Sequence, residues 1–130
     1  MGSIRKEFIV DANAGKVWAA LRDFGALHQK LVKGFVTDSK LDGDVRTVTF
    51  VNGMTARERL VDCDDTQRRL VYSVIDGKPA HYNAVAQVFE EGPGKSRFVW
   101  VIDILPNELV GPISGMMDMG VAAIKKTLAE

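Results

Sequence analysis

The sequence predicts an α+β fold: a seven-stranded antiparallel sheet curved around a long C-terminal helix, with two short helices after the first strand. Three observations carry this. Six strand-like runs follow one another from Phe35 to Leu105. Only short turns separate them, which describes an antiparallel meander rather than βαβ units. Apolar residues at helical spacing appear briefly after the first strand and at length near the C-terminus.

Each element has its own signal. Ile4–Val10 alternates as the first strand, and Asp11-Ala12-Asn13 offers a helix N-cap, since short polar side chains accept early amide protons. Val17, Trp18, Leu21 and Phe24 then fall at helical spacing, with Trp18 as the anchor. Asp23–Lys33 reads as the second short helix, carrying Leu27 and Leu31 on one face and stopping at Gly34. The following strands are Phe35–Leu41, Gly43–Val51, Met54–Cys63, Arg68–Ile75, Ala80–Glu90 and Ser96–Leu105. In the last of these Phe98, Trp100, Ile102 and Ile104 share a parity, yet Val99, Val101 and Leu105 are also apolar, so the orientation of Trp100 stays open. Leu109, Ile113, Met116, Gly120, Ile124 and Leu128 form the stripe of the C-terminal helix, whose first turns Pro112 and Gly115 weaken. A sheet with one apolar face needs cover, and that helix supplies it by lying across the concavity. The short helices close one end, leaving a hollow.

At 130 residues the chain fits a single domain, 1–130. Hydrophobic residues make up 46% and charged residues 26%, an ordinary globular balance. Seventeen basic and seventeen acidic side chains cancel. Duplex-binding proteins carry a basic excess, so nucleic acid is not an expected partner. Cys63 is alone, which excludes an intramolecular disulfide and a cysteine zinc cluster. Arg5, Lys6 and Glu7 interrupt any signal-like apolar run. Val99–Ile124 is broken by charges, prolines and glycines, so no membrane span is expected, and a cytoplasmic setting fits.

The hairpin GDVRTVTFVNGMTARERL, Gly43–Leu60, bears most directly on function. Alternation on both sides of Asn52-Gly53 is a hairpin signal. If Phe50, Met54 and Leu60 face inward, parity carries Arg46 and Glu58 inward with them. Charges on an apolar face are costly unless paired or hydrated, so these two imply a wet internal cavity.

In this order several motifs resemble a known superfamily. IVDANAGKVWAALRDFGAL is similar to the "VW..L.DF..L" opening of the START-like, or Bet v 1-like (SRPBCC), proteins. It most resembles bacterial polyketide cyclase/dehydrase-type proteins, with similarity to plant abscisic acid receptors. GDVRTVTFVNG, ARERLVDCDD, RLVYSVIDG and the strand around Tyr82 follow in the order those families use. The resemblance implies a helix-grip fold enclosing a ligand cavity. It further implies a set of cavity residues: Lys33, Arg46, Val48, Phe50, Met54, Glu58, Tyr72, Val74, Tyr82, Met116, Gly120 and Ile124, with Asn52-Gly53-Met54 as a mobile lid. The plant lid has proline where Thr55 stands, and its partner loop differs from Lys78-Pro79-Ala80-His81, so hormone recognition and phosphatase inhibition are not implied.

The function expected is binding or transport of a small hydrophobic or amphipathic ligand (lipid, polyketide or aromatic), by a monomer or homodimer. The alternative is a polyketide cyclase/dehydrase-type enzyme using the same cavity, with Glu58 or His81 moving protons. Arg46 and Glu58, joined by Lys33, thus have three open roles: orienting a ligand, forming a structural cross-strand pair, or acid–base work. His28 reads as a surface residue. Metal binding is not expected from two separated histidines, and no cofactor motif, phosphate loop or G-x-S-x-G elbow is present.

Overall fold

A computed structural model describes residues 2–129. Strand β1 (Ser3–Val10) is followed by helix α1 (Ala14–Arg22), a 3-10 turn at Phe24–Ala26 and the short helix α2 (Leu27–Lys30). Six strands come next: β2 (Val36–Asp42), β3 (Val45–Phe50), β4 (Thr55–Asp64), β5 (Arg69–Val74), β6 (His81–Glu90) and β7 (Ser96–Leu105). A second 3-10 turn at Asn107–Leu109 leads into helix α3 (Val110–Leu128). The strands form one antiparallel sheet in the order β1-β7-β6-β5-β4-β3-β2. The expected meander is present, and β1 extends it by pairing along its own whole length with β7.

Local chemistry sets the boundaries. Asn13 Oδ1 accepts the Lys16 amide at 2.8 Å, the cap expected for α1. The second helix is shorter than Asp23–Lys33, because that stretch divides into a 3-10 turn and a single α-helical turn. Gly25 lies within the 3-10 turn, and any Cβ there would meet the Leu41 side chain at 3.1 Å. Pro112 is the third residue of α3, where a missing amide proton breaks no helical bond, so it does not interrupt the helix.

The ladder of β7 is continuous against both β1 and β6, so its parity holds throughout. Phe98, Ile102 and Ile104 are buried, and Trp100 shares their face. The irregularities lie at Val36/Asp38 in β2 and Leu60/Asp62 in β4. The second explains why Leu60 and then Cys63 pack on the core although they are three positions apart, an odd step that would otherwise put them on opposite faces.

The core fills the space between the concave sheet and the helices. Phe8 of β1 stacks on Phe98 of β7 with ring centroids 5.0 Å apart. Lys6 ties β1 to α3 through Asp118 at 3.0 Å and Ser114 at 2.9 Å. Trp18, buried as expected, donates its indole N–H to Asp65 at 2.8 Å and so fastens α1 to the β4–β5 turn. Among the described residues no helix is long and apolar enough to cross a membrane.

Candidate functional site

The register of β3 and β4 sets Arg46 directly opposite Glu58. Both are buried, at 4% and 6% exposure, although they carry full charges. Arg46 Nε donates to Glu58 Oε1 at 2.7 Å, and Nη1 donates to the Phe24 carbonyl at 3.1 Å. The guanidinium also lies 3.9 Å from the Phe24 ring centroid and 5.0 Å from that of Tyr72. Such a pair survives in an apolar interior because short charge-assisted hydrogen bonds and aromatic faces replace the lost water. Among the described residues no hydrogen-bond partner stands against Arg46 Nη2 or Glu58 Oε2. Both side chains border a cavity.

That cavity, of about 80 Å³, lies between sheet and α3. Leu21, Leu27, Leu31 and Val32 close it at the α1–α2 end, and Val36 continues that wall. The sheet contributes Val48, Phe50, Tyr72, Tyr82, Ala86, Phe98 and Trp100, while α3 contributes Ile113, Met116, Met117 and Ile124. Phe35, Phe50, Tyr82, Trp100, Ile113 and Met116 are only half-buried, which marks the side where the cavity opens. Burial pushes the Tyr72 hydroxyl well above its usual ionisation range, and the Glu58 carboxylate adds to this while Arg46 opposes it. Burial, then the neighbouring Tyr72 and Glu58, shift Tyr82 the same way. Both hydroxyls are therefore protonated donors at neutral pH.

Of the residues singled out in the sequence, Arg46, Val48, Phe50, Glu58, Tyr72, Tyr82, Met116 and Ile124 meet on this wall. Five do not. Lys33 is exposed: Leu31 and Val32 take the inward positions, and Lys33 lies in a separate outer groove beside Lys16 and Lys30. Its amide donates to Thr127 Oγ1. Met54 is 58% exposed, because the turn runs from Phe50 to Gly53 and β4 begins only at Thr55. The Met54 carbonyl still accepts the Phe50 amide at 2.8 Å, but its side chain stands beside the left-handed Gly53, φ +87°, at the hairpin tip and is left mostly in solvent. Val74 faces the same way as its partner Glu58 but ends β5 half-buried, off the cavity wall. His81 is exposed, since Tyr82 takes the inward position at the start of β6. Gly120 is buried beneath the Trp100 indole rather than open to the cavity. His28, read as a surface residue, is half-buried with Nδ1 enclosed and without a hydrogen-bond partner. Among the described residues no group of three or more histidine, cysteine or acidic side chains is placed to hold a metal ion.

A family model described as "Polyketide cyclase / dehydrase and lipid transport" matches residues 1–130, the whole chain. The chain belongs to this family. Solved structures agree on the fold. XoxI from Bacillus cereus is 22% identical, with a TM-score of 0.88 over 100% of this chain and 97% of its own. A START superfamily protein from Mycobacterium smegmatis is 12% identical, with a TM-score of 0.79 over 99% and 98%. Norcoclaurine synthase from Thalictrum flavum, solved with dopamine and hydroxybenzaldehyde, is 21% identical, with a TM-score of 0.70 over 98% and 86%. No curated protein sequence matches the chain. The architecture is thus the START-like, Bet v 1-like one, with the long helix gripped by the sheet.

Within this polyketide cyclase/dehydrase and lipid transport fold, the wall also uses Leu27, Leu31, Phe98, Trp100 and Met117, which lie outside the cavity set that the resemblance implies. Phe98 and Trp100 were signalled by their parity in β7, and Leu27 and Leu31 by their helical spacing. Met117 had a weaker signal, because it sits one position off the expected stripe yet is the methionine that α3 buries most deeply. The Phe24 carbonyl left no trace in the sequence pattern. Trp100 links this wall to α3: a Cβ on Gly120 would stand 3.0 Å from Trp100 Cζ3 and 3.1 Å from Cη2. Gly120→Ala is therefore expected to push the indole toward the cavity. With Trp18→Phe as background, Trp100 is the only tryptophan, and its emission maximum should shift on adding Gly120→Ala. An unchanged emission spectrum would mean that α3 yields instead.

Proposed function

We propose that residues 1–130 form one ligand-binding domain that binds or carries a small hydrophobic or amphipathic molecule in the cavity between sheet and α3. The observation that carries this is an apolar, aromatic-lined hollow whose only charged lining residues, among the described residues, are the paired Arg46 and Glu58. Ligand sites combine such a lining with a few convergent polar groups. The family description includes lipid transport, and the Thalictrum enzyme shows that a similar scaffold accommodates single-ring aromatics. The present space of about 80 Å³ is well below the roughly 300–1,000 Å³ usual for drug-sized ligands. An occupant is therefore small, or the half-buried Phe35, Phe50, Trp100 and Met116 move aside to admit it.

Binding is better supported than cyclase or dehydrase chemistry. Glu58 is held by Arg46, and His81 lies on the outer face, so neither is placed as a free proton carrier at the cavity. Mass spectrometry of an organic extract from freshly purified protein tests the reading. A small apolar or amphipathic compound is expected to co-purify, and Ala86→Leu, which fills the cavity from β6, should abolish its retention while the circular-dichroism spectrum stays unchanged. Full retention in folded Ala86→Leu would place the ligand elsewhere.

A further inference from the structure

We infer that the cavity selects an uncharged ligand bearing a carbonyl, amide or hydroxyl group, and that Glu58 is the residue that excludes carboxylates. This rests on the proposed binding function and narrows its ligand class. A lone arginine at the end of an apolar pocket would favour an anion. The geometry points the other way. Among the described residues the cavity is lined by one cation and one anion, which stand opposite each other on β3 and β4 and touch at 2.7 Å. Lys33, the other cation that an acidic head would need, lies outside in the groove beside Lys16 and Lys30.

Arg46 is already satisfied on several sides. Nε faces Glu58, Nη1 faces the Phe24 carbonyl, and the guanidinium is packed against the Phe24 and Tyr72 rings. A carboxylate reaching the remaining guanidinium edge would sit close to Glu58 with little water between them, where like charges repel strongly. A cationic head would meet the same objection from Arg46. An uncharged oxygen meets neither. It can accept from Arg46 or from the Tyr72 or Tyr82 hydroxyl, and an amide or hydroxyl proton can be donated to the unpartnered Glu58 oxygen. The ion pair thus acts as a neutral, polar end to an aromatic slot.

Benzamide, benzoate and benzamidine test this, because they share one shape and carry charges of zero, minus one and plus one at neutral pH. Each is titrated into 15N-labelled protein and followed by the amide and indole resonances of the cavity wall. Benzamide is expected to bind at least about tenfold more tightly than either charged analogue, given the penalty for an uncompensated buried charge. Glu58→Gln keeps the shape but leaves Arg46 uncompensated, and should turn the preference toward benzoate by a similar factor. A merely structural role for Glu58 would weaken all three alike, and that result would overturn the assignment. Benzoate binding as well as or better than benzamide in the unmodified protein would also overturn it, even if Glu58→Gln failed to fold. If none of the three binds up to its solubility limit, the cavity-binding reading itself falls, and this inference with it.

Discussion

Replacing Arg46 with methionine is expected to destabilise the fold by about 3–5 kcal/mol, the usual effect of removing one member of a buried ion pair. The substitution keeps an unbranched apolar side chain between Phe24 and Tyr72. It leaves the Glu58 carboxylate enclosed without a cation and the Phe24 carbonyl without its donor. Replacing both partners, as Arg46→Met with Glu58→Leu, should recover most of the loss, since a well-packed apolar pair is often as stable as the ionic one. Urea unfolding of the unmodified protein, Arg46→Met, Glu58→Leu and the double variant gives the coupling directly. If the double variant is no more stable than Arg46→Met, the pair is needed to hold β3 against β4. Recovery in the double variant, together with loss of the benzamide preference, would mean that the pair is kept for the ligand and not for the fold.

The contrast between these two charges and Lys33 shows what was legible in the sequence. Arg46 and Glu58 lie inside regular strands, where a period of two fixes the face of every side chain once a few apolar neighbours are placed. Lys33 lies between α2 and β2, and Met54 at a hairpin tip. At such positions the local backbone, and not a period, decides the direction of the side chain. Met54, beside the left-handed Gly53, is left mostly in solvent at the hairpin tip, and the inward turn of Leu31 and Val32 sent Lys33 out. The strand order, the long helix and the position of the hollow were legible because they depend on element type and connection length. The Arg46–Phe24 carbonyl bond was not, because it joins residues brought together only by the closing of the short helices over the sheet.

Gly120 shows a different limit. Its place on the apolar stripe of α3 was correct, yet a stripe does not tell which neighbour occupies the space a glycine leaves. Here the neighbour is the Trp100 indole, on a strand whose two faces are both apolar. The volume of the cavity therefore depends on a contact between β7 and α3 that neither element's pattern specifies.

The tyrosines make the most direct probe of how dry this cavity is. Tyr72 and Tyr82 are the only two tyrosines in the chain, so phenolate absorbance reports on the site alone. Burial, reinforced by nearby Glu58, raises both above the value of about 10 expected in the unfolded chain. Below pH 10 both states keep the phenolic protons, and this contribution is complete. Above it the unfolded chain releases protons that the folded chain retains, so stability falls as pH rises through that window. The slope approaches about 1.4 kcal/mol per pH unit for each tyrosine fully within the window. Tyr82 is half-buried and carries the smaller share. Urea midpoints measured between about pH 9 and 11 should therefore decline, with phenolate appearing only as the protein unfolds. Tyr72→Phe should flatten that decline. Reversible phenolate formation near pH 10 in protein that keeps its circular-dichroism spectrum would show that water reaches both hydroxyls. The Arg46–Glu58 pair beside them would then be hydrated as well, and its power to discriminate between neutral and charged ligands would be lost.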